Sequence, residues 1–587
     1  MMKQQLKTLG LFIVGVSATL PLAQPAAAIP ALGNFDTTFN TTGTVITPIG
    51  SSGDTAVAVA VQPDARIVVA GTTSTVSGNA FAVVRYNADG TLDTGFNASG
   101  MTTVDFGSNF AQVKGEVMQP DGKIVVAGDA YIDSTTGRDF AIVRFNSDGT
   151  LDASFGSGGK VTTDIGSTGD YAGGLALQAD GKLVVSGYRQ HAGGGFDYAL
   201  VRYNTDGSLD TGFGTGGQVI TALGTNNDWA VTVTLQPDGK ILIGSAYSSS
   251  GADFFVARYT TDGVLDTTFS PSGTLAPGTV TTDLGGNYET VNALLVQPDG
   301  KIVAAGLSGT TPNPSDIALV RYNADGSLDT SFGESANGKE TTNPNSGSSA
   351  AYAVALQPNG KIIAAGYSNK GSDNDFALIR FTSAGIPESA QLAIGSTDDG
   401  ANAIALQPDG RIVAAGYASN GTDNDFAVVR YVSNDAPWDT APDAFSFSDV
   451  TDVAKGSVQT SNMITVAGLD SGVSVPVTVS NGAYAKNGFT TYTTDPGWVQ
   501  NGDTLNVRHI AASADNQTIN TVLTVGGVMP TDNLARTLGT TTSDTFSSTT
   551  AASISSSTTS GGSGGGAFGP GFLVLLIVGG WRKLARS

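Results

Sequence analysis

Four loops of this 587-residue chain carry the spacing Asn-x-Asp-Gly-x-x-Asp, at Asn87/Asp89/Asp93, Asn146/Asp148/Asp152, Asn204/Asp206/Asp210 and Asn323/Asp325/Asp329. Oxygen donors at alternate positions of a tight loop suit calcium, whose best-known loop closes with a bidentate Glu at position twelve. Counted from each Asn, that position holds Ala98, Ser157, Thr215 and Glu334, so one copy in four has the closing carboxylate. Asn and Asp also stabilise turns by bonding their own backbone while Gly takes a positive φ. Turn chemistry is therefore the expected role, and calcium the competing one. No other cofactor is implied.

An arginine precedes the last aromatic of seven similar segments: Arg85, Arg144, Arg202, Arg258, Arg321, Arg380 and Arg430. Identical repetition points to a structural ion pair, expected as a bidentate contact with the Asp of a nearby Leu-Asp pair. In the sixth copy Glu388 stands where that Asp would be. The competing reading is a basic ring for a ligand. His191 and His509 are the only histidines, far apart and in different expected domains, which leaves no catalytic triad and no multi-His zinc site. No catalytic residue is nominated. Tyr188, Tyr247, Tyr367 and Tyr417 are expected at one rim, where aromatics suit sugars or peptides.

The elements that position these residues recur. Gln119-Pro120-Asp121-Gly122-Lys123-Ile124-Val125-Val126-Ala127-Gly128 has counterparts beginning at Gln62, Gln178, Gln236, Gln297, Gln357 and Gln407. A fixed long period fixes the architecture before any local reading. Each period holds four apolar segments separated by turns. In the second period these are Gln112 to Met118, Lys123 to Ala127, Phe140 to Phe145 and Lys160 to Thr163. Asp-Gly between apolar runs marks a reversal, and continuously apolar middle strands are buried on both faces. Four short antiparallel strands per period make one propeller blade.

After the seventh set of three strands, ending at Tyr431, no fourth follows, since Asp435-Ala436-Pro437-Trp438 breaks the pattern. Yet Phe35 to Phe39 and Thr44 to Thr47 form an unattached fourth-strand unit near the amino terminus. Docked on the last blade, it closes the ring and removes unpaired edges. The expected fold is all-β: a seven-bladed β-propeller at 35–435 closed by an N-terminal strand, then a small immunoglobulin-like β-sandwich at 441–539, with helices only at the two termini. Met463 to Val466, Val473 to Val479, Thr504 to Arg508 and Thr521 to Val525 read as sandwich strands, with turns at Asn481-Gly482 and Asn501-Gly502.

The Gln-Pro-Asp-Gly-Lys element and the linker Asn146-Ser147-Asp148-Gly149-Thr150-Leu151-Asp152-Ala153-Ser154-Phe155-Gly156 recur in fixed order. Together they resemble the delta-60 repeat family of bacterial proteins, a resemblance that implies a propeller-like fold in exported proteins and little about activity. The sixth linker departs from it, with Ala384-Gly385 for Asp-Gly and Pro387-Glu388 for Leu-Asp.

The ends read as addresses. Lys3 and Lys7, an apolar segment from Leu9 to Leu22, and Ala26-Ala27-Ala28 form a secretory signal at 1–28 with cleavage expected after Ala28; the competing reading is a retained anchor. A Ser/Thr-rich stretch at 540–560 reads as a flexible linker. Gly561, Gly562, Gly564, Gly565 and Gly566, a short apolar helix, and Arg582, Lys583 and Arg586 then follow. Phe568 to Trp581 would span only about 21 Å as helix against a ~30 Å hydrocarbon core. Residues 561–587 resemble the GlyGly-CTERM sorting signal of Gram-negative bacteria, cut by rhombosortase. The resemblance implies signal peptidase and a rhomboid-type protease as processing partners, transient inner-membrane anchoring and release to the cell surface or medium. A simple single-pass anchor is the alternative.

A formal net charge of −22 argues against nucleic acid. With no cysteine, no disulfide is available to an exported chain. The functional expectation is a binding or scaffold module with a glycan or protein ligand. The alternative is a secreted polysaccharide-active hydrolase or lyase with carboxylates at the channel mouth. Unlike polar residues at one mouth would favour an enzyme, and seven equivalent ones a structural or multivalent binder.

Overall fold

The continuously apolar runs, such as Ile124-Val125-Val126-Ala127, have one face on each neighbouring sheet. In the computed structural model, which describes residues 32–550 apart from short internal stretches of which 434–441 and 528–537 are the longest, Ile124 and Val126 pack with Val68, Phe81 and Val83 of the sheet before them. Val125 and Ala127 pack with Leu183, Val185 and Ala199 of the sheet after them. Each such side chain contributes about 1.5–3 kcal/mol by leaving water, so the core is a series of layers between blades. All described secondary structure is β-strand.

Seven four-stranded antiparallel sheets follow the repeat. The second blade comprises Ala111–Met118, Ile124–Asp133, Gly137–Phe145 and Lys160–Thr163, innermost to outermost. The Asp-Gly reversal is wider than a two-residue hairpin, because Gln119 N–H donates to the Lys123 carbonyl and Gly122 takes φ +82°. In the seventh blade the outer strand is Thr44–Thr47, with Val45 opposite Val428, and Gly33–Phe35 continues along the same edge, Phe35 opposite Tyr431. The amino-terminal segment thus closes the ring. A buried tyrosine of the third strand meets a threonine of the preceding blade's outer strand, Tyr203 Oη donating to Thr163 Oγ1 at 2.9 Å. Thr47 of the closing strand meets Tyr86 in the same way at 2.7 Å.

Beyond the propeller, Val450–Val453, Leu538–Thr550, Thr518–Gly527, Ser474–Ser480 and Gly497–Gln500 form one sheet. Val458–Thr460, Thr504–Ile510, Ile464–Thr465 and Ala483–Lys486 form the other, and Val475, Val477, Leu505, Val507, Leu523 and Phe546 fill the space between. One expectation changes here. The stretch expected to begin a flexible linker at Thr540 is paired strand up to Thr550, because its Ser/Thr alternation carries Phe546 into the core with no exposure. Asn481-Gly482 and Asn501-Gly502 turn the chain as expected, each carrying it from one sheet to the other. The expected signal segment with Ala28, the expected tail with Gly561, Gly562, Gly564, Gly565, Gly566, Arg582, Lys583 and Arg586, and the two helices expected at the termini lie outside the described residues. No helix among the described residues is long and apolar enough to cross a membrane.

Candidate functional site

The repeated motifs meet one another. Arg144 Nε donates to Asp152 Oδ2 at 2.7 Å, and Lys123 Nζ, from the Gln-Pro-Asp-Gly-Lys turn, lies 3.1 Å from the same oxygen. Arg85–Asp93, Arg202–Asp210, Arg258–Asp266, Arg321–Asp329, Arg380–Glu388 and Arg430–Asp36 repeat the pair. The expected bidentate geometry does not occur. Nη1 of Arg144 donates instead to the Thr205 carbonyl of the next blade, Nη2 donates to Ser154 Oγ, and the guanidinium sits 4.5 Å over the Phe155 ring. Arg85, Arg202, Arg258, Arg321 and Arg430 reach a carbonyl of the next blade in the same way, so these six arginines each fasten two blades, and those donors point into structure rather than into a ligand site. Burial opposes the charge on Asp152, but hydrogen bonds from Ser154 and Lys123 and the Arg144 charge hold its carboxyl well below the usual range.

The Asn-x-Asp-Gly-x-x-Asp loops are likewise occupied. Asp148 Oδ1 accepts from the Thr150 amide and hydroxyl, Asn146 Nδ2 donates to Thr150 Oγ1, and Asp152 faces Arg144. Their oxygens serve different partners and do not converge. His509 is buried between Thr521 Oγ1 at 2.7 Å and Ser548 Oγ at 2.6 Å, where burial lowers its pKa. It ties the two sandwich sheets together. His191 lies in a loop of the third blade.

What does not repeat lies along the channel. Every innermost strand carries a β-bulge at one equivalent place, and the residues there are Val57, Lys114, Gly173, Val231, Asn292, Tyr352 and Asn402. A bulge re-aims the chain without ending the strand. Val57, Lys114, Gly173, Asn292, Tyr352 and Asn402, with neighbouring residues of the innermost strands, line a cavity of about 260 Å³ on the channel. Asn292 Nδ2 donates to the Ala351 carbonyl at 2.8 Å, and Asn402 Nδ2 to Ala56 O at 2.8 Å, so two bulges also clasp the following blade.

Two residues beyond the bulge, six blades place an apolar side chain: Val59, Leu175, Val233, Leu294, Val354 and Ile404. The second blade places Glu116 there. Its carboxyl approaches the backbone of Ala70 and meets no side-chain donor, and burial pushes it up to about 8. Sequence reasoning missed this residue; superposing the repeats column by column exposes it as the one acid in an apolar ring.

The mouth near the start of the innermost strands is asymmetric. On one side, burial lowers the Lys114 ammonium, while Asp129, 1% exposed and with no hydrogen bond to either oxygen, is pushed up to about 6 by burial despite Lys114 and Arg138. Arg138 lies 3.5 Å from Asp129 and over the rings of Phe110 and Tyr171, and Tyr171 stacks on Tyr188 at 4.9 Å. On the other side, Tyr352 lies 5.8 Å from Tyr367, and burial with the nearby Tyr367, Tyr417 and Tyr288 hydroxyls raises its own. Tyr188, Tyr367 and Tyr417 share one register position, opposite Tyr171, Ala350 and Gly400. Tyr247 falls one residue further on, opposite Asp228, and is out of phase with them. In the fourth blade Ala246 occupies the shared position, opposite Trp229.

Fold and channel define this part of the chain as a seven-bladed β-propeller. Seven segments, residues 62–96, 119–155, 178–213, 236–269, 297–332, 357–386 and 407–437, match the family described as "Domain of unknown function (DUF5122) beta-propeller". No curated protein matches the sequence. Among solved structures, an inactive virginiamycin B lyase from Staphylococcus aureus aligns at 10% identity and TM-score 0.38 over 66% of this chain and 98% of its own. Sqt1 from Chaetomium thermophilum aligns at 10% identity and TM-score 0.35 over 66% and 100%, and a polysaccharide lyase, an ulvan lyase, at 11% and 0.35 over 67% and 97%.

Proposed function

We propose that this chain is an exported binding propeller that holds an extended carbohydrate across the asymmetric mouth of its channel. The tyrosine side, Tyr288, Tyr352, Tyr367 and Tyr417, offers ring faces and hydroxyls, and Tyr288 and Tyr352 are each 39% exposed. Such rings combine an apolar surface with a polar handle, the pairing a sugar presents in turn. Across from them, Lys114 and Arg138 supply charged donors in an otherwise acidic protein, which favours a ligand bearing carboxylate or sulfate. The observation that carries this reading is that seven equivalent bulges hold five different residue types, so the mouth is not a sevenfold structural ring. Export rests on the signal ending at Ala28 and release on the Gly561–Gly566 tail, read from sequence. Amino-terminal sequencing of the mature product tests the cleavage after Ala28, and its intact mass tests loss of the tail.

Binding is tested on an array of neutral and acidic glycans. Tyr352→Ala and Tyr367→Ala are expected to weaken retention at least about tenfold, the usual cost of losing an anchoring aromatic, with thermal stability unchanged. An array on which no glycan is retained, or on which both variants bind like the parent, rejects the reading. A polysaccharide hydrolase or lyase is the second reading, favoured by Asp129. Its unsatisfied carboxyl, held at about 6 beside Lys114, suits a proton-transfer role. Release of new chain ends from a retained glycan, abolished in Asp129→Asn, would establish it.

A further inference from the structure

At the junction of the second and third blades, Arg138 and Gly169 form a one-residue parallel bridge. It sets Asp139, at the start of a third strand, beside Asp170, at the start of the next innermost strand. Asp164, from the connection between those blades, completes the group, and one carboxylate oxygen from each lies within 4.8 Å of the others. Asp170 Oδ2 accepts from the Ile165 amide, and Asp164 Oδ1 from the Gly166 amide. Asp139 is 4% exposed, and while Thr136 approaches its carboxyl, its Oδ1 has no hydrogen-bond partner. An unpartnered buried carboxylate oxygen among like charges is costly unless a cation supplies the missing partner.

The same three positions recur at the junction of the fifth and sixth blades as Asp316, Asn343 and Ser349. There Asn343 Nδ2 donates to Asp316 Oδ1 at 2.7 Å, and Ser349 Oγ donates to Asn343 Oδ1 at 3.2 Å. One architecture thus has a self-sufficient version with a single acid and a version with three acids that leaves one buried oxygen without a donor. A third junction, Asp253, Asp283 and Glu289, is acidic too, but Glu289 is satisfied by the Leu284 and Gly286 amides and Ser308 Oγ.

We propose that Asp139, Asp164 and Asp170 bind a divalent cation, with calcium the fitting ion. Its 2.3–2.6 Å bonds and tolerance of irregular oxygen sets, completed by water, match three carboxylates spread over this distance. Magnesium demands shorter bonds and near-octahedral order. The bound ion would fix Asp139, and with it Arg138, whose guanidinium stacks on Phe110 and Tyr171 at the mouth.

The test titrates the chelator-treated full chain with calcium chloride by calorimetry and follows its thermal unfolding. One site per chain, a dissociation constant of about 10⁻⁵–10⁻³ M and a rise in melting temperature are expected. Asp164→Asn, which installs the amide found at Asn343, is expected to abolish the binding while unfolding no earlier than the calcium-depleted parent. Absence of binding up to about ten times the weak end of that range overturns the site. So does an equal response in Asp164→Asn, which would place the ion elsewhere, or binding of magnesium in preference to calcium. The glycan reading stands or falls separately, because the calorimetry contains no sugar.

Discussion

Arg430 Nε donates to Asp36 Oδ2 at 2.7 Å, joining side chains 394 residues apart in the sequence. Asp36 takes the place that Asp152 holds in the second blade, and Arg411 lies 2.7 Å from the same oxygen as the counterpart of Lys123. Ring closure therefore reuses the ion pair of every blade, with the acid contributed by the amino-terminal segment.

Breaking that contact is expected to open the ring. Asp36→Asn leaves Arg430, with 3% of its side chain exposed, without its charge partner, which costs about 3–5 kcal/mol. Thermal unfolding and limited proteolysis within residues 32–47 read the result. An unchanged melting point with an uncut amino terminus would deny the pair this role. Because Asp36 is held below its ordinary value, its contribution is present above about pH 4 and is lost as pH falls through the lowered folded value.

The repeated pairs should differ in a fixed order. Arg202→Met leaves Asp210, whose side chain is 13% exposed, with Lys182 as its cation, and should cost more than Arg380→Met, which leaves Glu388 at 33% with Lys361 and with water at hand. Chemical denaturation of the two variants measures the order, and the reverse order refutes the account.

Ala65 stands where the other blades have Gly and takes φ +61°. A left-handed conformation costs a residue with a Cβ about 1–2 kcal/mol. Ala65→Gly is therefore expected to raise the melting temperature despite the added chain entropy. A lower one would show that Ala65 is not strained.

Glu116 supplies a pH signature. Its folded value of about 8 lies above the ordinary 4.5 of a glutamate, so the stability it permits is present below about pH 4.5 and is lost as pH rises through 8. Glu116→Gln should match the parent near pH 5 and exceed it by about 1–3 kcal/mol near pH 9. Parallel stability–pH curves for the two proteins would remove the buried acid from the channel.

Much of this was legible without coordinates. Period, strand count and the orphan strand at Thr44 to Thr47 dictated a closed seven-bladed ring, because hydrophobic runs and turn residues are local signals and an unpaired edge has a high cost. Arg144 and Asp152 could be paired because each recurs once per blade. Their single-contact geometry could not, since Nη1 reaches a carbonyl of the following blade. Thr540 to Thr550 reads as linker by composition and becomes strand because Phe546 finds a core.

The sequence by itself determined what repeats: blades, their ion-pair fastenings and the closure. Tertiary structure decided what does not repeat. Lys114, Glu116 and Tyr352 line one channel only because the ring brings distant innermost strands around it, and Asp139, Asp164 and Asp170 come together only because neighbouring blades abut. No local pattern carries that information, since each of these residues sits in a strand or turn that would form equally well without it.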